Sequence, residues 1–259
     1  MIIETHCHLD YLKSLTLDEI LYRAQEAGVQ KFITISVDPN NMDEVLKLSE
    51  LEKRIYFTQG IHPHDAKDFT EIEKNKISER ALFPKMVAVG EIGLDYHYNN
   101  SPRDIQLKVF EEQLQLAVDQ DLPVVIHTRE ADEDTQSILS NFSKHLKRKG
   151  VLHSFTSGKA LAEWALGDGY YLGFNGIITF KNAQNVQEVV GITPLEQILL
   201  ETDSPFLTPV PHRGKENAPF YLPFIAQKIA ELKGIELNTV LDAAFKNSFS
   251  CFPKLANEG

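Results

Sequence analysis

Short β-rich runs alternate with longer helical patterns along the whole chain, and this alternation constrains the fold more than any other feature. Eight such runs occur, at residues 2–6, 31–37, 55–61, 86–92, 123–128, 151–155, 170–176 and 197–203. Several of them are apolar almost throughout, which is typical of strands in a parallel sheet that is buried on both faces. The order of the runs therefore predicts eight consecutive pairs of strand and helix.

Eight such pairs in 259 residues match the length and order of a TIM barrel, a closed barrel of eight parallel strands inside a ring of helices. A doubly wound open sheet is the alternative, but it usually has fewer strands, and no G-x-G-x-x-G pattern follows the first run. No low-complexity tract, flexible linker or internal repeat interrupts the chain. We therefore expect one TIM-barrel hydrolase domain over residues 1–259.

Local signals predict two of the helices most clearly. Residues 101–120 form an amphipathic stretch in which Ser101 is the expected N-cap and Pro102 the first helical residue. The last helix is predicted from apolar residues at helical spacing, which are Leu237, Val240, Leu241, Ala244 and Phe245. The proline-rich segment 204–219 is expected to be an ordered loop after the eighth strand.

Charge and cysteine content exclude several classes of protein. The chain has 26 Lys and Arg against 37 Asp and Glu, a net charge of −11, so it lacks the broad basic surface of proteins that hold nucleic acid by phosphate contacts alone. Its two cysteines are far apart, which indicates a reducing, cytoplasmic compartment. The segment MIIETHCHLD has no secretion signal pattern, and no apolar run reaches the roughly 18 residues of a membrane helix. We expect a cytoplasmic protein without membrane association.

The segment THCHLD, at residues 5–10, has three possible interpretations: a Cys/His metal site, a Cys–His nucleophile pair, or the end of the first strand. Side chains alternate along a strand, so His6 and His8 point to one side and Cys7 to the other. This disfavours the first two interpretations, because both need Cys7 on the same side as a histidine. Cys7 is expected to be a small buried hydrophobic residue, and Cys251 likewise.

Polar side chains are concentrated at the carboxyl ends of the predicted strands. They are His6, His8, His62, His64, Glu91, His127, His153, Glu201 and Asp203. In a parallel barrel these ends share one face, where TIM-barrel enzymes place their active sites. Imidazoles and carboxylates bind divalent cations, and there are more of them than one tetrahedral site needs. The pattern therefore indicates a site for two divalent ions with Glu91, on the fourth strand, as the bridging ligand.

Seven sequence blocks carry a family resemblance. They are THCHLD, GIHPH, GEIGLDY, VIHTRE, HSFTSG, ETDSPFL and PHRGKENAP, in this order across the chain. With them the chain resembles the TatD family of metal-dependent deoxyribonucleases, within the amidohydrolase superfamily. The resemblance implies a TIM barrel that hydrolyses phosphodiester bonds of DNA, as an exonuclease on single-stranded ends, with a divalent ion.

The resemblance also implies roles for individual residues. One ion would be held by His6, His8, Glu91 and Asp203, and a second ion by Glu91, His127 and His153. Asp203 would double as general base, accepting a proton from the attacking water. Mg²⁺, Mn²⁺ and Zn²⁺ are all compatible with such a mixed set of ligands.

Several neighbouring residues are expected to assist. Glu201 either supports the general base or orients a histidine ligand. His62 is expected to contact a phosphate or leaving group rather than a metal ion, and His64 to lie at the surface. Arg129 and Arg213 suit bidentate contact with phosphate, and an ordinary loop salt bridge is the alternative for each.

The acidic net charge favours a particular substrate. Short single-stranded ends of DNA, including 3′ ends, entering a pocket fit this charge better than a long duplex held along a groove. Aromatic residues at barrel ends more often serve in packing, but four phenylalanines near the predicted rim are also candidates for base stacking: Phe155, Phe174, Phe180 and Phe206. No obligate protein partner is evident in the sequence.

Two other functions remain open at this stage. The first is an esterase, lactonase or aminoacyl-tRNA deacylase that uses the same pair of ions on a carbonyl. Many superfamily members bridge their ions with a carboxylated Lys on the fourth strand, whereas this strand offers Glu91 and has Lys85 at the wrong end, which favours the nuclease. The second is a binding module without catalysis, which would lack some of the ligand positions. None of them is missing.

Overall fold

Eight parallel strands follow one another in sequence order around a barrel. They are β1 (Ile2–Cys7), β2 (Val29–Thr34), β3 (Ile55–Gln59), β4 (Met86–Asp95), β5 (Val124–Arg129), β6 (Gly150–Leu152), β7 (Tyr171–Phe174) and β8 (Ile198–Leu200). The structure is a computed structural model that describes residues 1–256. The predicted domain ends at residue 259, so residues 257–259 of that prediction lie outside the described residues.

Backbone hydrogen bonds between the end of β1 and the segment that follows β8 join the two edges of the sheet. Cys7 pairs with Ser204 in a parallel bridge, and the N–H of His8 donates to the carbonyl of Ser204 at 2.8 Å. The N–H of Asp203 donates to the carbonyl of His6 at 2.9 Å. Because these bonds lie at the carboxyl ends of both strands, they bring the THCHLD and ETDSPFL blocks together.

Nine helices of the described chain surround the strands. They are α1 (Leu17–Glu26), α2 (Met42–Leu51), α3 (Glu71–Arg80), α4 (Arg103–Asp119), α5 (Asp132–Phe142), α6 (Lys159–Gly167), α7 (Gln184–Ile192), α8 (Leu222–Lys233) and α9 (Leu237–Cys251). The first seven each connect two successive strands, and the last two follow β8. The prediction of a TIM barrel is therefore confirmed. Within the described residues, no helix combines the length and apolar character needed to cross a bilayer.

The apolar residues form two cores, one on each face of the barrel wall. The larger core packs the outward side chains of the strands against the helices, as for Phe32 and Leu114. The smaller core fills the inside of the barrel with residues such as Ile33 and Val125, and the C-terminal residues Phe252 and Leu255 join it. The barrel is thus a packed structure rather than a channel.

The start of α4 differs from the prediction. The N-cap of this helix is Pro102, and the helix begins at Arg103. The hydroxyl of Ser101 does not cap it, but donates to the carbonyl of His64 at 2.8 Å and accepts from the N–H of Lys67 at 3.2 Å. The predicted cap was wrong because this long-range contact takes the hydroxyl and fixes the segment that follows β3.

The predictions for the C-terminal part of the chain are confirmed. Val240 and Ala244 are buried on the inner side of α9. The segment 204–218 contains no helix or strand, and a short 3-10 helix, Pro219–Tyr221, follows it. The side-chain amide of Asn217 holds the segment by donating to the carbonyls of Thr202 at 2.8 Å and Phe206 at 2.5 Å. This loop therefore has a fixed path beside the carboxyl end of β8.

Candidate metal centre

The carboxyl ends of the strands surround a cavity of about 770 Å³. Among the residues that line it are His8, His62, His64, Glu91, His127, His153 and Asp203. His6 is fully buried behind them, and its ring stacks on that of His153 with centroids 3.8 Å apart and planes within 5°. Glu201 is also fully buried, with Oε1 3.7 Å from His153 Nδ1. The barrel therefore brings together all nine polar residues that the sequence placed at strand ends.

Glu91 is the centre of this cluster. Its Oε1 lies 2.7 Å from His153 Nε2, 3.1 Å from His127 Nδ1 and 3.4 Å from His62 Nε2. Its Oε2 lies 3.4 Å from His6 Nε2. One carboxylate thus reaches imidazoles on or just after four different strands, which is the position that a bridging ligand needs.

Asp203 is a second carboxylate beside His6 Nε2. Its Oδ1 is 3.5 Å from His8 Nε2 and 3.7 Å from His6 Nε2. The backbone of Asp203 has a φ of 55°, a left-handed conformation that is uncommon for a residue with a side chain. Its hydrogen bond to the His6 carbonyl fixes that backbone, so the carboxylate is held against both histidines.

Buried nitrogens at this site have no hydrogen-bond partner among the described residues. They are both ring nitrogens of His6, both ring nitrogens of His153 and Nδ1 of His8. Carboxylate oxygens lie near several of these atoms, but not in positions that form hydrogen bonds with them. Unpaired buried polar atoms are unfavourable, and imidazole nitrogens are common ligands of divalent cations. The residues therefore fit a divalent cation.

Among residues 1–256, three groups of side chains have ligand atoms within 4.8 Å of one another: His6, His8 and Asp203; His6, His153 and Glu201; and His62, Glu91 and His127. The first group matches part of the set expected for one ion. The other two bring His62 and Glu201 among the possible ligands, whereas the sequence favoured His62 as a phosphate contact. The roles of His62 and Glu201 stay predictions.

The charges of the cluster are strongly coupled. Burial disfavours ionisation of Glu91, but the neighbouring His153 and His62 hold its pKa well below the usual range. Burial would lower the pKa of His153, yet the charges of Glu91 and Glu201 raise it well above its usual value. Burial together with the charge of His127 lowers the pKa of His62 to about 4. The cluster therefore keeps Glu91 ionised and His62 neutral at neutral pH.

Asp203 is also ionised at neutral pH. Burial would raise the pKa of its carboxyl, but the hydrogen bond with His8 and the nearby His6 and His153 lower it below its usual value. An ionised carboxylate beside possible ligands is able to accept a proton, as a general base must.

Comparison with known proteins decides the family. Residues 3–253 match the family model described as TatD related DNase. This chain belongs to the TatD family. Its motifs predicted this membership, which is thereby confirmed.

Relatives of this TatD protein match it over nearly their full lengths. YabD of Bacillus subtilis strain 168, named an uncharacterized metal-dependent hydrolase, is 38% identical over 253 residues, 97% of this chain and 99% of YabD. TatD of Erwinia amylovora, named a 3′-5′ ssDNA/RNA exonuclease, is 33% identical over 241 residues, 91% of this chain and 93% of the relative. The crystal structure of YjjV, a TatD homologue from Escherichia coli K12, is 31% identical and has a TM-score of 0.91 over 97% of this chain and 98% of YjjV. The chain is therefore a metal-dependent hydrolase of the TatD family.

Asp95 is a residue of this TatD site that the sequence reasoning missed. Its buried carboxylate lies 3.0 Å from both His127 Nε2 and His64 Nε2, and it accepts the N–H of Tyr98 at 2.9 Å. Burial would raise the pKa of Asp95, but the hydrogen bonds with His127 and His64 lower it far below its usual value. Asp95 is four residues after Glu91 on β4, and this even spacing on one strand was a signal that could have revealed it.

The prediction that His64 lies at the surface was wrong. The turn at Pro63–Asp68 folds back over the carboxyl end of β3, so the side chain of His64 is only 28% exposed and lines the cavity. The side chain is held there by Asp95.

Glu4 is a second residue that the sequence reasoning missed. Its carboxylate is fully buried and accepts the N–H groups of His6 at 3.1 Å and Thr202 at 2.9 Å. Burial raises the pKa of Glu4 to about 8. Glu4 thus joins the backbones of the two segments that carry His6 and Asp203. In the sequence, a charged residue within an apolar strand was the feature that could have revealed it.

Arg129 and Arg213, the two predicted phosphate contacts, lie in different parts of the structure. Arg129 lines the cavity, with its guanidinium 4.8 Å from the ring centroid of Tyr98. Arg213 is exposed in the loop after β8 and lies 3.9 Å from the ring centroid of Phe180. Among the described residues neither arginine forms a salt bridge. Both guanidiniums are therefore free to contact an anion.

The phenylalanines near the predicted rim differ in whether they are buried or line the cavity. Phe155 and Phe174 are buried in the core, so they serve in packing, the role that the sequence favoured for them over base stacking. Phe206 is 52% exposed and lines the cavity, so it alone of these three is placed to contact a substrate.

Cys7 lies outside all three groups of possible ligands, as predicted. Its side chain is fully buried, and Sγ is 3.5 Å from the carbonyl of Ile33. Burial raises the pKa of the thiol well above its usual value. Cys7 is therefore a protonated packing residue, like the buried Cys251.

Proposed function

We propose that this TatD protein is an exonuclease that hydrolyses phosphodiester bonds at single-stranded 3′ ends of DNA, with two divalent ions. The observation that carries the proposal is the position of Glu91, whose two oxygens face different sets of histidines. A carboxylate in that position suits two adjacent cations, the arrangement used by many enzymes that cleave phosphodiesters. The name of the Erwinia amylovora relative, a 3′-5′ ssDNA/RNA exonuclease, supports both the substrate and the direction of digestion.

The proposed ligands follow the two sides of Glu91. His6, His8, Glu91 and Asp203 would hold one ion, and Glu91, His127 and His153 the other. His62 is a further candidate for the second ion, because its Nε2 lies 3.4 Å from Glu91 Oε1. When bound, the ions supply positive charge at the phosphate and lower the pKa of a nearby water.

The residues of the chain then carry out proton transfer and positioning. Asp203 accepts the proton of the attacking water, and Glu201, beside His153, keeps the ligands oriented. His62 lies where it can contact the leaving group if it is not a ligand. Arg129 contacts the phosphate through its free guanidinium. Arg213 is proposed as a second phosphate contact, further out on the rim.

The shape of the site supports a short single-stranded substrate. A cavity of about 770 Å³ is the size of a pocket for a small molecule, which suits one or two nucleotides at the end of a strand. Tyr98 and Phe206 are exposed at its edge and can stack on bases. The net charge of −11 agrees with binding that depends on the site rather than on a basic groove.

A degradation assay tests this proposal. A single-stranded oligonucleotide labelled at its 5′ end, and the same oligonucleotide labelled at its 3′ end, are incubated with Mg²⁺, Mn²⁺ or Zn²⁺, beside a carboxylic ester. We expect the 5′-labelled strand to shorten progressively while the 3′ label is released first as a nucleotide, and we expect a chelator to stop both reactions. Ester cleavage without release of nucleotides would instead favour the alternative function of an esterase, lactonase or aminoacyl-tRNA deacylase.

A further inference from the structure

One sector of the cavity rim carries acidic side chains that have no part in the proposed metal site. Asp38 follows β2 and Asp65 follows β3, and both line the cavity together with Tyr11. The ring of Tyr11 stacks on that of His8, a proposed ligand, with centroids 5.2 Å apart. The sector formed by Tyr11, Asp38 and Asp65 therefore adjoins the site of the reaction.

These two carboxylates keep free acceptor oxygens. Within the described residues, the side chain of Asp65 forms no hydrogen bond or ion pair. Oδ1 of Asp38 accepts the N–H groups of Asn40 at 2.7 Å and Asn41 at 3.1 Å, whereas its Oδ2 accepts only the hydroxyl of Tyr11, at 3.4 Å. Burial and the charge of Asp38 both raise the pKa of Asp65, so the two carboxyl groups are close enough to interact.

The charge of the rim changes sign between β3 and β5. Arg129 ends β5 and lies on Tyr98. A phosphate group is attracted to this guanidinium, and it is repelled from Asp38 and Asp65. The charges of the cavity therefore favour the backbone of a nucleic acid on the Arg129 side and disfavour it on the side of the acidic sector.

We propose that Asp38 and Asp65 make the enzyme specific for a strand terminus. The terminal nucleoside occupies the acidic sector, and its 3′ hydroxyl donates to one of the carboxylates. A strand that continued through the sector would place a phosphate there. The oxygens of an ionised phosphate accept hydrogen bonds but do not donate them, so they cannot bond to these carboxylates. The inference rests on the proposed nuclease function, and it explains why such a site would cut at ends rather than internally.

Two oligonucleotides of one sequence test the inference, one ending in a 3′ hydroxyl and the other in a 3′ phosphate. We expect the wild-type enzyme to remove the last nucleotide from the first at least about tenfold faster, given the cost of placing like charges together. In the Asp38→Asn/Asp65→Asn double variant we expect the ratio to fall to about threefold or less, mainly through faster cleavage of the phosphorylated end.

Binding gives a second readout that does not depend on turnover. Thymidine 5′-monophosphate should compete with the oligonucleotide more strongly than thymidine 3′,5′-bisphosphate in the wild type, and the double variant should lose this difference. Asp68→Asn is the matched control, because it removes one negative charge from the exposed end of the same turn as Asp65. Its ratio of rates should equal that of the wild type.

The outcomes separate this inference from the proposed function. If the wild type releases no nucleotide from either oligonucleotide, both the nuclease and the specificity proposal fail. If it cleaves both ends equally, or if the double variant keeps the wild-type ratio, only the specificity proposal fails. Should the double variant not fold, Asp65→Asn alone serves, since its side chain has no bond to lose within the described structure.

Discussion

His153 Nε2 lies 2.7 Å from Glu91 Oε1, yet His153 Nε2 forms no hydrogen bond among the described residues. The same carboxylate lies within 3.4 Å of His6, His62 and His127. Four imidazoles around one buried carboxylate are expected where all of these atoms face shared cations. This arrangement supports the proposal that the ions of this metal-dependent hydrolase bind around Glu91.

The Glu91→Gln variant tests this central role. Glutamine removes the negative charge and one of the acceptor oxygens, so we expect weaker metal binding and a loss of nearly all activity, at least about 100-fold in kcat/KM. The fold should remain, because the shape of the side chain is conserved. Hydrolysis rate, bound metal per chain and thermal unfolding are measured together. The exposed Glu71→Gln is the control, and an active Glu91→Gln enzyme would refute the bridging role.

Asp203→Asn tests the general base. An amide cannot accept the proton of the water, so we expect kcat to fall by at least about 10²-fold with the fold retained. Because Asp203 is also a proposed ligand, the metal content of the variant must be measured and restored by added metal. Turnover like that of the wild type under saturating metal would contradict the assignment.

Asp95→Asn tests a residue that acts through its neighbours. Asp95 holds His127 and His64 in place, and loss of such a partner commonly weakens metal affinity or activity by about 10- to 100-fold. We expect metal affinity, measured by calorimetric titration, to fall within that range. The exposed Asp104→Asn at the start of α4 should have no effect. An affinity equal to that of the wild type would show that Asp95 does not orient His127.

Metal binding should strengthen as the pH rises through neutrality. The charges of Glu91 and Glu201 overcome burial and raise the pKa of His153 well above its usual value, and the pKa of His127 is raised as well. Without a metal ion His153 therefore keeps its proton at neutral pH, His127 loses its proton at a higher pH than a free imidazole does, and a cation must displace any proton that is bound. We expect apparent affinity to rise by up to about tenfold per pH unit for each proton released. Calorimetry in buffers of different ionisation enthalpy counts the protons, and a pH-independent affinity would contradict the prediction.

Cys7→Ala tests whether the thiol has any chemical role. Because Cys7 is buried and faces away from the proposed ligands, we expect kcat and metal content to stay within about twofold of the wild type. The smaller side chain leaves a gap in the core, so unfolding free energy should fall by about 0.5–3 kcal/mol. Loss of metal or turnover in a folded Cys7→Ala variant would support the Cys/His interpretation of THCHLD.

The sequence by itself determined the barrel and the majority of the site. Parallel strands buried on both faces leave continuous apolar runs, and the alternation of side chains along a strand separates His6 and His8 from Cys7. Both are local properties of the backbone. Because all strands of a parallel barrel end on one face, the polar residues at strand ends were expected to meet, and they do.

Only the tertiary structure decided which of these groups touch. The hydroxyl of Ser101 bonds the segment after β3 rather than its own helix, and the turn at Pro63–Asp68 brings His64 to Asp95 instead of to the surface. It also places His62 beside Glu91. Such contacts join residues about 30 to 40 positions apart through loops whose paths depend on packing, and no local periodicity encodes them. The proposed ligand residues could thus be predicted from the sequence, whereas their contacts depend on how the loops fold over the barrel.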